Sequence, residues 1–309
     1  MTAPLWQAEY EISHAQAQAL ISRQFPELCP LELHYLGQGW DNQVFSVNQD
    51  WLFRFPRRKI ALDLLATELK LLKPLAEVLP LQIPVPQFLG QPADDYPWPF
   101  AGYHLISGQS ACQCALSPAE RRAMAPRLAD LLKSLHTRPT AWREHYQIPP
   151  DRLQKVNLAE RLPQTRERLR EARDKRLLEE IEPFEHFLAG LPAETPSDRP
   201  KALVHGDLYL RHLIVNENHD LVGIIDWGDA HWGDPATDLS LVFAFLPPSA
   251  RPAFWQSYGE VSELTQNLAR FRAIFHSLAL LLYAEDTADT LLFNEARRSL
   301  GWILSEQID

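Results

Sequence analysis

The chain of 309 residues contains only three cysteines, Cys29, Cys112 and Cys114. Three thiols cannot supply a disulfide framework, and one C-x-C pair without a second cysteine pair or suitably spaced histidines makes a poor zinc site. Disulfide-stapled secreted domains and structural zinc domains are therefore disfavoured. The low cysteine usage is typical of a protein in a reducing compartment.

Long apolar runs are also missing. No stretch of about 18 apolar residues, the length that crosses a bilayer, occurs in the chain. The opening segment MTAPLWQAEYEIS carries acids where a secretory signal would carry Lys or Arg followed by an apolar core. We therefore expect a soluble, cytoplasmic protein without a membrane partner.

The sequence has no excess of positive charge. Its 40 acidic and 30 basic side chains give a formal net charge of -10. This balance argues against a nucleic-acid partner, which would need a basic surface, and mildly favours cationic partners. A chain of this length, with 46% hydrophobic residues, suits two domains or one bilobed unit.

Residues 1–105 carry a pattern of short strands. Ser13 is suited to cap a helix that ends near Phe25, and LELHYLG, NQVFSV and WLFRFP predict three strands joined by tight turns. Leucines at helical spacing predict a helix over residues 60–79, and QIPVPQFLG and GYHLIS predict two further strands. The pattern indicates a small antiparallel sheet with one helix laid on it.

Residues 106–309 are mainly helical. A serine cap, proline and glutamate begin a helix at Ser117, and more helix is predicted to about residue 190. KALVH, HLIV and LVGIID then predict β-hairpin strands, after which the chain is expected to be helical to its end. The fold class is therefore α+β, with a β-rich N-terminal lobe and a larger helical C-terminal lobe.

Residues 204–240 place six aspartates and four histidines among short apolar strands. Charge beside buried apolar surface costs free energy unless it is paired, binds a metal or does chemistry. Asp207 follows one strand, His212 lies five residues later, and Asp226 closes the hairpin. Phosphoryl transfer needs a carboxylate that takes the acceptor proton and two ligands for magnesium, and this segment supplies a candidate for each.

The quoted pieces HGDLYLRH, GIIDWGDA and GDPATDLS together resemble the signature of the aminoglycoside phosphotransferase family. The histidine at position 212 is similar to that of the aminoglycoside 2''-phosphotransferase and macrolide phosphotransferase branches. The resemblance implies a protein-kinase-like bilobal fold, with a nucleotide-binding lobe over residues 1–105 and a catalytic, acceptor-binding lobe over residues 106–309. It also implies that Asp207 is the catalytic base and that Asp226 binds Mg²⁺.

His212 fits this scheme less simply, because magnesium prefers oxygen ligands. We assign it to the metal, directly or through water; the alternative is a hydrogen bond to Asp207 or to a backbone carbonyl. Asp238 is expected to be structural, as a carboxylate that complements a helix dipole. Asp229 is either a neighbour of the metal or a solvated loop acid.

The β-rich lobe supplies candidates for binding ATP or GTP. Gly37 and Gly39 are placed at the turn between the first two strands, where backbone amides could approach phosphates. Arg54 faces away from Phe53 and Phe55 in the third strand. A cation in a partly desolvated cleft needs a partner, and the resemblance to a kinase-like fold implies that this partner is Glu68 in the following helix.

Two further expectations concern the rim and the hinge of this lobe. Arg57 and Arg58 are expected to be exposed. The family resemblance implies that YHLISG is a hinge, in which backbone groups of His104 to Ile106 would read the purine edge.

The acceptor is less well defined by the sequence. Acids clustered in AEDTAD could attract an amino sugar, although a solvated helix face is the commoner meaning of such a run. The expected partners are a nucleoside triphosphate and a small hydroxylated acceptor, aminoglycoside-like or macrolide-like, which points to antibiotic resistance. Homoserine, choline or a fructosamine are alternative acceptors, and a non-catalytic nucleotide-binding module is an alternative class.

Overall fold

The computed structural model describes residues 8–39 and 41–305. It divides into two units, one from the described residues of Met1–Val78 and Gln82–Ser107, the other from those of Leu79–Leu81 and Gly108–Asp309. The first unit is built on a sheet and the second is mainly helical, so the predicted α+β fold class is confirmed. Residues 1–7, within the segment that argues against a secretory signal, lie outside the described residues.

The first unit contains one five-stranded antiparallel sheet in the order β1-β2-β3-β5-β4. Its strands and helices are β1 (Leu33–Gln38), β2 (Asn42–Val47), β3 (Trp51–Pro56), β4 (Pro86–Gly90), β5 (Phe100–His104), α1 (His14–Gln24) and α2 (Ile60–Ala76).

Alternation in β3 decides which face of this sheet is buried. Phe53 and Phe55 are fully buried, whereas Arg54 between them is partly exposed, as the period of a strand requires. The Phe55 ring stacks on Phe100 of β5 with centroids 4.4 Å apart. These rings belong to a core of aromatic and aliphatic side chains that α1 covers with Leu20 and its neighbours.

Ser13 begins α1 as predicted. Its hydroxyl accepts from the Gln16 amide, and the Gln16 side chain accepts from the Ser13 amide, which forms a capping box. The predicted helix over residues 60–79 is observed as α2, whose buried face includes Leu65, Leu72 and the charged Glu68.

The second unit consists of helices with short strands between them. The helices are α3 (Pro118–His136), α4 (Ala141–His145), α5 (Leu158–Asp174), α6 (Glu182–Ala189), α7 (Ala236–Phe245), α8 (Arg251–Tyr258), α9 (Glu263–Asp286) and α10 (Thr290–Ile303). The strands are β6 (Gln109–Ser110), β7 (Ala202–Val204), β8 (Leu213–Val215), β9 (Leu221–Ile224) and β10 (His231–Gly233).

The predicted hairpin is observed as β8 and β9, with β6 added to its edge. A second pair, β7 with β10, was not expected in full, because the sequence pattern indicated only its first strand. Helix is interrupted between α4 and α5, where continuous helix was predicted. This interruption matters because it carries Lys155.

Helix α7 forms the centre of the second unit. Nearly every residue from Ala236 to Phe245 is buried, and α9 and α10 both pack against it. Its sequence is mostly apolar, as expected for a helix that other elements surround. Among the helices that the structure describes, none combines the length and apolar character that crossing a bilayer requires.

We predict that Gly102→Ala destabilises the first unit. Gly102 lies opposite Phe53 in the β3–β5 ladder, and an added Cβ would come within 2.6 Å of that ring. Such overpacking costs roughly 1–3 kcal/mol, so the melting temperature should fall, and Phe53→Leu in the same chain should recover part of the loss. Calorimetry measures both.

Gly301→Ala is the matched control. Gly301 lies in α10 with open space around its Cα, so alanine there should stabilise the helix by roughly 0.5–1 kcal/mol. A Gly102→Ala protein that melts at or above the wild-type temperature would contradict the packing argument.

Candidate active site

Asp207 lies in the loop between β7 and a short 3₁₀ turn, Leu210–His212. The preceding Gly206 has φ +87°, and a Cβ on it would come within 2.4 Å of the Asp229 carbonyl oxygen. Only glycine accepts both the left-handed backbone and this close approach. The backbone conformation therefore explains why glycine stands between His205 and Asp207. The absence of a side chain at Gly206 lets the Asp229 loop pack against the Asp207 loop.

The carboxylate of Asp238 holds this loop from below. Its oxygens accept from the backbone amides of His205 at 2.7 Å and Gly206 at 2.9 Å, and from His136 Nε2 at 3.2 Å. Burial alone would raise the pKa of Asp238, but the His136 hydrogen bond and the backbone amides outweigh it and keep the pKa below its usual range. The expected structural role is confirmed, although the carboxylate acts on loop amides outside its own helix.

His205 connects the Asp207 loop to the Asp226 loop. Its Nε2 lies 3.1 Å from the Ile225 carbonyl and donates to it, so Nδ1 is left to accept from the Asp207 amide at 3.3 Å. Burial lowers the pKa of His205, which keeps the ring neutral and this tautomer in place. His205 therefore packs beneath the Asp207 loop and bonds to both loops.

The structure brings Asp207, His212 and Asp226 together. His212 Nδ1 lies 2.7 Å from the Asp207 backbone carbonyl and 3.9 Å from its carboxylate, and His212 Nε2 lies 3.4 Å from an Asp226 oxygen. Asp226 has φ +65°, an uncommon conformation for a residue with a side chain. The alternative hydrogen bond predicted for His212 therefore exists, but it uses only one ring nitrogen.

This donor set fits a magnesium–nucleotide complex. In the neutral ring the proton is on Nδ1, so the lone pair of Nε2 faces the Asp226 carboxylate. The lone pair and the carboxylate repel each other, and a cation bound between them would remove this repulsion. In residues 8–39 and 41–305, no group of three or more His, Cys, Asp or Glu side chains is arranged to hold a metal alone. Magnesium commonly takes one or two protein ligands and completes its shell with phosphates and water.

Lys155 was missed by sequence reasoning. Its ammonium group donates to the Gly206 carbonyl at 2.8 Å and to Asp229 at 2.6 Å. Asp229 is thus paired with a buried lysine, which decides against a freely solvated acid. The sequence signal was hidden because this segment was expected to be helical, whereas Asp151 caps a turn there through the Lys155 amide.

Four basic side chains lie around the Asp207 carboxylate. Burial would raise the pKa of Asp207, but His276, His212, Lys155 and Arg272 outweigh it and lower the pKa well below its usual range. Burial and the charge of Arg272 lower the pKa of His276 to about 3, so His276 is neutral at pH 7. Lys155 and Arg272 therefore supply fixed charge at neutral pH, and Asp207 is ionised.

In the first unit, Arg54 and Glu68 form the predicted pair. Arg54 Nη1 lies 2.9 Å from Glu68 Oε1, and the Tyr103 hydroxyl donates to Glu68 Oε2 at 2.8 Å. Glu68 is 2% exposed, so a paired cation and a hydroxyl donor both offset its burial. Tyr103, which the sequence reading did not single out, also lies under the guanidinium, 5.8 Å from ring centroid to Cζ. These side chains and Asn42 line a recess of about 230 Å³.

Two expectations about this unit were wrong. Gly37 lies within β1, at a bulge with φ +148°, and not in the turn, where Gly39 donates to the Asn42 carbonyl. Arg57 is buried, bonded to Glu11 at 2.6 Å and to the Gly39 carbonyl at 3.1 Å. Arg58 is partly buried and pairs with Asp41 at 3.0 Å. Both arginines therefore contact the turn that contains Gly39 and Asp41.

His104 ends β5 with an exposed side chain, and Ile106 is buried after it. Between them, the Leu105 amide donates to the Asp50 carbonyl at 2.8 Å. The Leu105 amide of the predicted hinge is therefore already hydrogen-bonded within the first unit. The part of these residues in purine binding stays a prediction.

Three acids toward the end of the chain are engaged in structural contacts. Asp289 caps α10 through the Leu292 amide and pairs with Arg211, Asp286 pairs with Lys175 at 3.0 Å, and Glu295 pairs with buried Arg121 at 2.6 Å. Two further acids near the end of the sequence, Glu306 and Asp309, lie outside the described residues. The Arg121–Glu295 pair also lines an otherwise mainly apolar recess of about 400 Å³ beside Tyr209 and His276.

Comparison with known proteins yields a family and a fold. The model of the phosphotransferase enzyme family matches residues 32–274. The GDP complex of aminoglycoside 2'-phosphotransferase-IIIa is 25% identical, with a TM-score of 0.67 over 95% of this chain and 99% of that chain. The GDP and kanamycin complex of APH(2")-IIIa is also 25% identical, with a TM-score of 0.65 over 93% and 97%.

Two further matches show either the fold alone or similarity over a short segment. Macrolide 2'-phosphotransferase type I is 20% identical, with a TM-score of 0.58 over 94% of this chain and 98% of that one, and so shares the fold. The uncharacterized protein YcbJ of Bacillus subtilis (strain 168) is 40% identical over 40 residues. That segment spans 13% of this chain and 13% of the curated relative.

We predict that Asp238→Ala destabilises the second unit and loosens the Asp207 loop. The substitution leaves two buried amides without an acceptor, which costs about 2–5 kcal/mol. The melting temperature should fall, and hydrogen exchange at Gly206 and Asp207 should speed up. Because the pKa of Asp238 is lowered, its contribution is present at neutral pH and is lost as the pH falls through that lowered pKa.

Asp130→Ala is the control, since Asp130 is an exposed acid of α3 and should leave both measurements unchanged. Equal exchange rates at Gly206 in the Asp238→Ala and wild-type proteins would show that another contact holds the loop.

Proposed function

The chain belongs to the phosphotransferase enzyme family, and from that premise we propose that it is a small-molecule kinase. It transfers the γ-phosphoryl group of ATP or GTP to a hydroxyl of the acceptor. The observation that carries this proposal is the convergence of Asp207, His212 and Asp226, with the Asp207 carboxylate ionised at neutral pH.

Asp207 is the proposed base. As the acceptor oxygen forms its bond to the γ-phosphorus, the hydroxyl proton passes to the Asp207 carboxylate. The bond from the γ-phosphorus to the β,γ-bridging oxygen breaks, and the nucleoside diphosphate leaves. The hydrogen bonds from Asp238 to His205 and Gly206 support this role, because they keep the base loop in one position.

Asp226 and His212 Nε2 are the proposed protein ligands of Mg²⁺. When bound, the metal neutralises charge on the nucleotide phosphates. The bond from His212 Nδ1 to the Asp207 carbonyl orients the ring and directs Nε2 toward Asp226, which supports the assignment.

The first unit is the proposed nucleotide-binding part, and the second is the proposed catalytic and acceptor-binding part. Arg54, held by Glu68 and Tyr103, is suited to grip phosphate oxygens. Gly37, Gly39, His104 and Ile106 are proposed to contribute backbone contacts. A relative that is 25% identical is described as a GDP complex, which supports a nucleotide co-substrate without choosing between ATP and GTP.

The proposed acceptor is a small polyhydroxylated molecule, and aminoglycosides and macrolides are the first classes to test. Kanamycin in the complex of one relative supports this choice. Homoserine, choline and fructosamines are the alternatives. A role in antibiotic resistance follows only if an antibiotic is the acceptor. A non-catalytic module is disfavoured, because it would have no chemical need for Asp207 beside His212 and Asp226.

The test is an acceptor screen with both ATP and GTP. Purified full-length protein is assayed for nucleoside diphosphate release and for phosphorylated product across aminoglycosides, macrolides, amino alcohols, sugar amines and sugar acids. We expect at least one acceptor to be phosphorylated. Nucleotide-induced stabilisation without turnover on any acceptor would favour the non-catalytic module.

Asp207→Asn is predicted to lower kcat by at least about 10²-fold, because the general base is removed. Stabilisation by magnesium nucleotide should stay within a degree or so of wild type on the melting curve. Asp198→Asn, at an exposed acid of the same unit, is the matched control and should behave as wild type in both assays. Undiminished turnover in Asp207→Asn would remove Asp207 from the base role.

Glu68→Gln is predicted to weaken nucleotide binding. The change removes the charge opposite Arg54 but retains acceptors for Tyr103, so the guanidinium loses its orientation. We expect a rise of roughly tenfold in Kd for magnesium nucleotide, which corresponds to about 1.4 kcal/mol. Tyr103→Phe should give a smaller rise. Unchanged Kd in Glu68→Gln, with the fold intact by circular dichroism, would show that Arg54 is not used.

A further inference from the structure

Three arginines surround one aromatic ring near the proposed base. The Cζ atoms of Arg161, Arg168 and Arg272 lie 5.4, 4.1 and 5.6 Å from the centroid of Phe275. Arg161 and Arg168 are two helical turns apart on α5 and therefore share a face, while Arg272 reaches the ring from α9. We call these three side chains the arginine cluster.

Arg272 is the most buried member of the cluster. It is 7% exposed, and in residues 8–39 and 41–305 its guanidinium makes no hydrogen bond and no ion pair, with Asp207 or any other acid. Burial lowers its pKa, the charge of Arg161 adds to that effect, and the charges of Asp207, Asp151 and Asp229 oppose it. A buried cation without an acceptor is costly, so this position is expected to serve a ligand.

Arg161 and Arg168 are also incompletely hydrogen-bonded or poorly solvated. Arg161 bonds to Gln164 and to the Leu153 carbonyl, but its Nε is occluded and has no acceptor. Arg168 donates to the Phe275 carbonyl at 3.1 Å, and burial followed by the charges of Arg272 and Arg161 lowers its pKa. No carboxylate bonds to a member of the cluster among the described residues.

Nearby acids are occupied by other groups. Asp229 bonds to Lys155, and Asp151 accepts from the backbone amides of Leu153 and Lys155. The members of the cluster carry like charges. Asp207, Asp151 and Asp229 favour the charge of Arg272, but among the described residues no acid bonds to it. An anion bound there would supply the acceptors that the cluster lacks.

We propose that the arginine cluster binds an oxyanion of the acceptor, so that the molecule phosphorylated carries a carboxylate, phosphate or sulfate besides its reactive hydroxyl. This inference rests on the proposed function, because it takes Asp207 as the base. It also sets a preference within the acceptor classes proposed above, because an acidic acceptor should react better than a cationic one. Of the acids in AEDTAD, Asp286 and Asp289 are already paired with Lys175 and Arg211.

The geometry of α9 connects this site to the base. Arg272 and His276 are four residues apart and lie on one face of the helix. His276 Nε2 is 3.9 Å from the Asp207 carboxylate, and the charge of Arg272 lowers the pKa of both Asp207 and His276. An acceptor whose oxyanion contacts Arg272 can therefore present a neighbouring hydroxyl to Asp207.

The first experiment measures oxyanion binding without turnover. Sodium sulfate, sodium phosphate and sodium acetate are titrated separately into the full chain at constant ionic strength, with sodium chloride as the balance, and affinity is read by calorimetry. Wild type should show saturable binding of at least one oxyanion. Arg272→Met and Arg168→Met should weaken it at least tenfold, and the anion preferred separates a carboxylate from a phosphate or sulfate subsite.

Arg170→Met is the matched control, because Arg170 is an exposed residue of the same α5 helix. It should bind oxyanions as wild type does. Without added oxyanion, Arg272→Met should melt no lower than wild type, since a buried unpaired charge has been removed. Absence of saturable binding in wild type, or equal affinity in Arg272→Met and Arg170→Met, would overturn the proposal.

The second experiment compares three acceptors that differ only at one carbon: gluconate, sorbitol and glucamine, which carry a carboxylate, a hydroxyl and an amine. If any is phosphorylated, gluconate should have the highest kcat/KM, by tenfold or more, and Arg272→Met should abolish that preference. A preference for glucamine would overturn the proposal. If none reacts, the oxyanion titration decides alone.

The two proposals fail in different ways. Lack of turnover on every acceptor, with intact oxyanion binding that depends on Arg272, would refute the kinase function but leave an anion site. Conversely, turnover with no oxyanion preference would refute the cluster's role alone. If Arg272→Met weakens magnesium-nucleotide binding as Glu68→Gln does, the cluster serves the nucleotide phosphates and the acceptor assignment is wrong.

Discussion

The buried carboxylate of Asp238 is the constraint on which the rest of the site depends. It accepts two consecutive backbone amides, those of His205 and Gly206, and so holds the chain immediately before Asp207. Its own burial is offset by the His136 hydrogen bond. A single acid in the first turn of α7 thereby anchors a loop that contains little regular structure to the buried helix α7.

From that anchor the site is built by successive hydrogen bonds. His205 donates to the Ile225 carbonyl, which fixes the residue before Asp226, and Lys155 joins the Gly206 carbonyl to Asp229. The proposed base and the proposed metal ligands are thus positioned by neighbouring side chains. Charge follows the same logic, because Lys155 and Arg272 keep Asp207 ionised in a partly desolvated setting. In the part of the chain that the structure describes, Arg272 forms no ion pair, and the proposal of an anionic acceptor rests on this observation.

Features of the fold and the site could be predicted from the sequence where the interactions that form them join residues close together in the chain. The Ser13 capping box, the outward direction of Arg54 between two buried phenylalanines, and the β8–β9 hairpin all follow from spacing along the chain. The pairing of Arg54 with Glu68 came from family resemblance and is present in the structure. Lys155 and Tyr103 were missed because their partners lie far along the chain, and Arg57 was misjudged because its contact with Glu11 is also distant in sequence.

The amino-acid sequence by itself determined the fold class, the order of the elements and the spacing of Asp207, His212 and Asp226, since periodicity and glycine or proline placement act within a few residues. Only the tertiary structure decided which ring nitrogen of His212 stays available, that Asp229 is paired, and that three arginines meet at Phe275. Burial and pairing depend on residues brought together from distant positions, and no local pattern encodes how a charge will be desolvated.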